Sequence, residues 1–180
     1  MTAPLGLEER LLGFRHAFDR AFAVAPVTTR GTFEDLLAIR VSGDPYALRV
    51  RDITGLVVSR KIVPLPSRRS ELLGIAGIRG SLVAVYSLAA LLGYAADAKP
   101  TSWLALAGAS SPVGLGFEDF EGFLRVRSGD VYAAPSTEGA RPHVGEVVRV
   151  EHQSRRVVDV PATLEALAVR TGVAGPSKEA

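Results

Sequence analysis

The sequence predicts a mainly β fold, two small barrels sharing one core, with an amphipathic α-helix in front of them. Three observations carry this. Beyond residue 31 the chain is a series of short apolar runs punctuated by glycine and proline, the composition of strands and tight turns. It repeats itself in the order A, B, A′, B′. Sustained helical spacing over more than four turns occurs in one place, residues 6–24.

In that stretch, GLEERLLGFRHAFDRAFAV, the side chains of Leu7, Leu11, Phe14, Phe18 and Phe22 recur every three or four residues and form one apolar stripe. Leu11, Phe14, Phe18 and Phe22 are therefore a candidate helix interface. Pro26 ends the helix, so residues 1–30 are expected to be a helix and its connector, 31–170 the main domain and 171–180 a flexible tail of turn-forming composition.

The A units are found by sliding the chain against itself. Residues 36–57 align without gaps on 103–124, an offset of 67, with Leu37/Leu104, Ala38/Ala105, Pro45/Pro112, Leu48/Leu115, Asp52/Asp119 and Gly55/Gly122 identical. Ile53/Phe120 and Leu56/Phe123 stay apolar. Each copy reads as a strand, a tight turn around its proline, and a second strand leading to a short element near the shared glycine. The B units echo at an offset of 71 to 72. In the first, the apolar run that ends at Ile78 and the run Leu82 to Tyr86 flank the turn Arg79-Gly80-Ser81. Ser87 caps a short helix that Gly93 closes. In the second, a helix over 162–169 follows Pro161.

Composition narrows the chemistry. With 180 residues and 47% hydrophobic composition, the chain can bury one core of about 140 residues. The net charge is +2, with 18 arginines dispersed along the chain, and no basic cluster interleaved with aromatics suggests nucleic acid. Cysteine is absent, which excludes disulfides, thiol catalysis and cysteine-ligated zinc. The charged start, Glu8-Glu9-Arg10, is unlike a signal peptide. The uncharged stretch 81–96 falls short of the roughly 20 residues a spanning helix needs. His16, His143 and His152 form no metal-binding pattern, and GxSxG and P-loop motifs are absent. Glu118, Asp119 and Glu121 could in principle do acid/base work, but the repeat places them at a strand end, as a solvated acidic edge. The reading is a binding module with no enzymatic activity, cofactor, metal or small-molecule substrate. Its most distinctive feature is Arg79, a charge at the tip of an otherwise apolar hairpin.

The blocks resemble CheW, the coupling protein of bacterial chemosensory systems. YALRVRDITGLV (46–57), LGIAGIRGSLVAVYSLAALLG (73–93), GLGFEDFEGFLRV (114–126) and Val157-Val158-Asp159 match family motifs in order, over about residues 33 to 168. The resemblance implies two five-stranded SH3-like barrels around a common core, a cytoplasmic protein of chemosensory arrays, and two partners. Helical chemoreceptor tips dock between the barrels, and a CheA-type histidine kinase pairs barrel to barrel. Carried over residue by residue, it marks Arg79, Ile78, Gly80, Val83, Val85 and Ile53 as partner-binding. The chain departs from the motif at Arg49 for Pro, Gly55 for Glu, Gly77 for Asn, Ala84 for Pro and Ser87 for Asp. These departures leave one alternative beside a full coupling adaptor, a divergent form that binds receptor but not kinase; the mild basic balance leaves a remoter one, a nucleic-acid-binding small barrel.

Overall fold

The computed structural model describes residues 32–58, 61–95, 100–109, 111–134, 141–150 and 153–171. The helix expected over 6–24, with Leu11, Phe14, Phe18 and Phe22, lies outside the described residues, as does the tail beyond Thr171.

The described chain is mainly β, in two sheets. Its elements are β1 (Phe33–Val41), β2 (Asp44–Arg49), β3 (Gly55–Val58), β4 (Leu72–Ile78), β5 (Ser81–Ser87), α1 (Leu88–Leu91), β6 (Trp103–Ala107), β7 (Val113–Phe117), β8 (Asp119–Arg127), β9 (Val131–Ala133), β10 (Val144–Val150), β11 (Gln153–Val158) and α2 (Val160–Thr171). One sheet has the order β8-β1-β2-β11-β10-β9 and the other β3-β6-β7-β5-β4.

The repeat is therefore real but interleaved. The first two strands of each A unit pair with the third strand of the other A unit: β1 with β8, and β6 with β3. The B′ hairpin then joins β2, and the B hairpin joins β7, each through a parallel pairing. These two pairings share one register. Ala47 lies opposite Val157 and Leu48 opposite Val158; at offsets of 67 and 72 their counterparts are Gly114 opposite Val85 and Leu115 opposite Tyr86. Each B hairpin slips register at the same place, between Leu72 and Gly74 and between Val144 and Glu146. The caps are equivalent too. Ser87 Oγ accepts from the Ala90 amide at 3.2 Å, and Asp159 Oδ1 from the Ala162 amide at 2.9 Å.

Two details of the gapless alignment are corrected. The first turn is not around Pro45: Ser42 and Gly43 take positive φ, 52° and 84°, and make a two-residue connection, leaving Pro45 inside β2 opposite Arg40. The strand β6 is also shifted by one residue. Leu37 faces the core between the sheets, whereas Leu104 belongs to the second sheet's own cluster; Ala105 and Ala107 are the true counterparts of Leu37 and Ile39. A one-residue slip exchanges the faces of a strand, so the identities Leu37/Leu104 and Ala38/Ala105 are coincidental.

Three apolar clusters result. One lies between the sheets and contains Leu37, Ile39, Tyr46, Leu48, Tyr86, Leu88, Leu92 and Leu115. Ala76, Ile78, Val83, Val85, Leu104 and Leu106 form the second, and Leu36, Ala47, Val126, Val148 and Val157 the third. Because β1 separates two clusters, Leu36 through Ile39 are all buried, and the strand reads as an apolar run without alternation. Gly74 (φ 141°) lets the connector pass against β4. A Cβ there would stand 2.1 Å from the Val63 carbonyl oxygen, and Val63 and Ile75 exchange two backbone hydrogen bonds.

Arginine ties the first sheet together. Glu121 on β8 accepts from Arg40 of β1 at 2.6 Å and from Arg155 of β11 at 2.5 Å. Burial alone would raise its pKa, but the two guanidinium groups outweigh burial and hold the carboxyl below its ordinary value. Arg49 on β2 reaches Glu34 of β1 at 2.9 Å and Glu146 of β10 at 2.5 Å.

Two outcomes are expected. Leu48→Ala, at a fully buried position, destabilises the fold by about 2–5 kcal/mol in denaturant titration. A carboxylate with a depressed folded pKa stabilises at neutral pH, and that contribution disappears as pH falls from the ordinary carboxylate range through the folded value. Acid titrations should therefore show Glu121→Gln less stable than wild type at pH 7, with the difference shrinking below about pH 4.

Candidate partner-binding surfaces

The β4-β5 hairpin closes through the Ile78–Ser81 pair, leaving Arg79 and Gly80 as a two-residue turn with φ of 50° and 81°. Both central residues of such a turn need positive φ, which is why Asn-Gly is favoured there. An arginine in this conformation is strained and confers no advantage on the turn itself. Beneath the tip, Ile78, Val83 and Val85 are 7%, 2% and 0% exposed and pack with Leu104 and Leu106. These three residues support the tip from inside, and of them only Ile78 reaches the cleft beside Arg79.

The Arg79 side chain folds back over β3. Its Nη2 lies 3.7 Å from the point where a Cβ on Gly55 would stand, and among the described residues it makes no hydrogen bond or ion pair. Beside it, between the edge strands β3 and β4, is an open cleft of about 440 Å³ lined by Val57, Val58, Gly77, Ile78 and Arg79. Leu82, across the ladder from Gly77, is 78% exposed.

A second surface forms where the core between the sheets reaches solvent. Ile53 and Leu56 before and on β3, and Trp103 and Phe120 on β6 and β8, are partly buried along its rim. The Trp103 and Phe120 rings are 5.4 Å apart, as are those of Phe120 and Phe123, and Phe123 is 71% exposed. Val58, paired with Trp103 and 59% exposed, continues the ridge and also borders the Arg79 cleft. The result is an aromatic ridge at the junction of the sheets. Leu56 on β3 and Phe120 and Phe123 on β8 come from the strands that the two repeats exchange, and Trp103 from β6.

Other polar clusters are structural. A cleft of about 300 Å³ lined by Phe33, Glu34, Asp35, Arg49, Val50 and Arg51 has its central arginine already paired with Glu34 and Glu146. Of the three neighbouring carboxylates, Glu118 accepts from the Gly43 amide at 2.9 Å and Glu121 from two arginines, so neither is poised as an acid or base. Tyr94 donates to Asp44 and shares a hydrogen bond with Tyr46, while the Arg141 guanidinium stacks 3.6 Å over its ring; burial and these bonds raise the phenol's pKa. Among the described residues no group of three histidine or acidic side chains could hold a metal ion.

Val58, Leu82, Trp103, Phe120 and Phe123 were not reached as surface residues from the sequence. Leu82 carried a signal, because it is out of phase with the inward residues Val83 and Val85. Phe123 carried one too, as the counterpart of Leu56 in the repeat.

A family model for the CheW-like domain matches residues 35–168. Among solved structures, the scaffolding protein TtCheW from Thermoanaerobacter tengcongensis has a similar fold, with a TM-score of 0.62 and 14% sequence identity over 71% of this chain and 89% of that one. A search of curated proteins returns no match.

If Arg79 is held in its turn at the expense of stability, Arg79→Asn should leave thermal stability unchanged or raise it by about 0.5–1 kcal/mol. Thermal unfolding followed by circular dichroism checks this. A clear loss of stability would mean that the side chain supports the fold.

Proposed function

The chain belongs to the CheW-like domain family, and from that premise we propose that it is a non-enzymatic adaptor of a bacterial chemosensory array, coupling chemoreceptor signalling tips to a CheA-type histidine kinase. The observation that carries the reading is the presence of two different surfaces on one small body. The exposed aromatic ridge suits the apolar face of a helix, the form of a receptor tip. The Arg79 hairpin, charged at its tip and stiff beneath, suits a second β domain, the form of the kinase's regulatory module. Each sheet is read as a small open barrel of the SH3-like kind, with β3 and β4 at the seam of the second. Val58 borders both surfaces, so the two occupants sit side by side on the adaptor. The reading places the protein in the cytoplasm, on the receptor arrays.

Several motif departures fit this reading. Ser87 caps α1 as Asp159 caps α2, so the family's aspartate is replaced by a residue that does the same work. Arg49, in place of proline, makes a structural double ion pair. The divergent alternative, binding receptor but not kinase, is motivated by Gly77 and Ala84, which replace the motif's Asn and Pro on the Arg79 hairpin.

Pairwise affinity measurements with a receptor signalling domain and a kinase regulatory domain separate these readings. Phe123→Glu should weaken receptor binding at least tenfold and leave kinase binding unchanged; Arg79→Glu should do the reverse. Failure of wild type to bind either partner contradicts the proposal, and binding of receptor alone establishes the divergent form.

A further inference from the structure

We infer that the cleft between β3 and β4 receives an extended acidic segment of the partner, whose carboxylate meets Arg79, and that the missing side chain at Gly55 keeps that arginine available. The inference rests on the adaptor reading above and adds the chemistry of what the second surface recognises.

Arg79 differs from the paired strand arginines in its charge environment. Arg40, Arg155 and Arg49 each have a carboxylate of this chain within 3 Å. Arg79 has none among the described residues, although it is held over β3 at a point where a side chain could reach it. Position 55 is glycine, and a Cβ there would meet only Leu106 at 3.6 Å and Arg79 at 3.7 Å, so nothing in the packing forbids a longer residue. A glutamate at this position would neutralise Arg79 in cis. Its absence leaves the guanidinium for a carboxylate supplied in trans, with which it can form charge-assisted hydrogen bonds.

The edge of β4 also offers backbone groups. Ile78–Ser81 is the narrow pair of a two-residue hairpin, so the polar groups of Ile75 and Gly77 point away from β5. Those of Ile75 are taken by Val63, at 2.9 and 2.8 Å. Those of Gly77 face the cleft and have no partner among the described residues. In the other sheet the corresponding edge of β10 is covered by β9 through three residue pairs, whereas β4 has the single Val63 bridge. An extended segment can therefore pair with Gly77, set a carboxylate on Arg79 and place apolar neighbours against Val57, Val58 and Leu82.

The test uses the full chain and a fluorescein-labelled ten-residue peptide of alternating valine and threonine with one central glutamate, followed by anisotropy. The glutamate peptide should bind at least tenfold more tightly than its glutamine or lysine versions. Gly55→Glu should weaken it at least tenfold, and Gly55→Gln, which has the same size without the charge, by no more than about twofold. Arg79→Glu should reverse the preference toward the lysine peptide. Equal binding of the three peptides, or equal effects of Gly55→Glu and Gly55→Gln, overturns the inference. Capture of the receptor and kinase domains by the same preparations separates the two levels. If wild type captures a partner but prefers no acidic peptide, the inference fails and the adaptor reading stands. If the peptide preference holds but neither partner is captured, the adaptor reading fails alone.

Discussion

Exchange of the third strands between the two repeats is the constraint on which the rest of the molecule depends. Because β8 completes the sheet of β1 and β2, and β3 that of β6 and β7, neither half of the chain owns a full sheet. The core between the sheets is built from both halves, and its burial cannot be gained by either alone. Both candidate surfaces follow from the exchange. It brings Ile53 and Leu56 of one repeat and Phe120 of the other to one rim, with Phe123 beside it, and it places Gly55 in the same sheet as the β4-β5 hairpin, within reach of Arg79.

Electrostatics distinguishes structure from recognition on this scaffold. Arginine residues between strands are paired, and their loss would leave partly buried carboxylates without partners. Arg79 is the contrasting case, since it occupies a backbone conformation that glycine or asparagine would adopt more cheaply and forms no ion pair within the described chain. Arg49 shows the opposite: a departure from the family motif that resembles a lost function proves to be a link between β1, β2 and β10.

Local features were legible in the sequence. The B hairpin, its Ser87 cap and the closing Gly93 (φ 77°) depend on neighbouring residues, and the structure has them where the pattern places them. The order A, B, A′, B′ was legible as well, since equivalent hairpins, bulges and caps recur. Long-range pairing was not. An apolar run such as Leu36–Ile39 is compatible with either sheet, and strand exchange leaves no local mark. Two chance identities concealed the one-residue shift in β6, whose faces only tertiary packing decides. Exposure at Val58 and Phe123 escaped for the same reason: an apolar residue at the rim of a core reads like one inside it.

The central claim is that one rigid body presents two adjacent surfaces to two different partners at once. Sedimentation velocity on equimolar mixtures of this chain, a receptor signalling domain and a kinase regulatory domain tests it most directly. The account predicts a species containing all three proteins, sedimenting faster than either binary complex. Displacement of one partner by the other, with only binary complexes at any ratio, would contradict it.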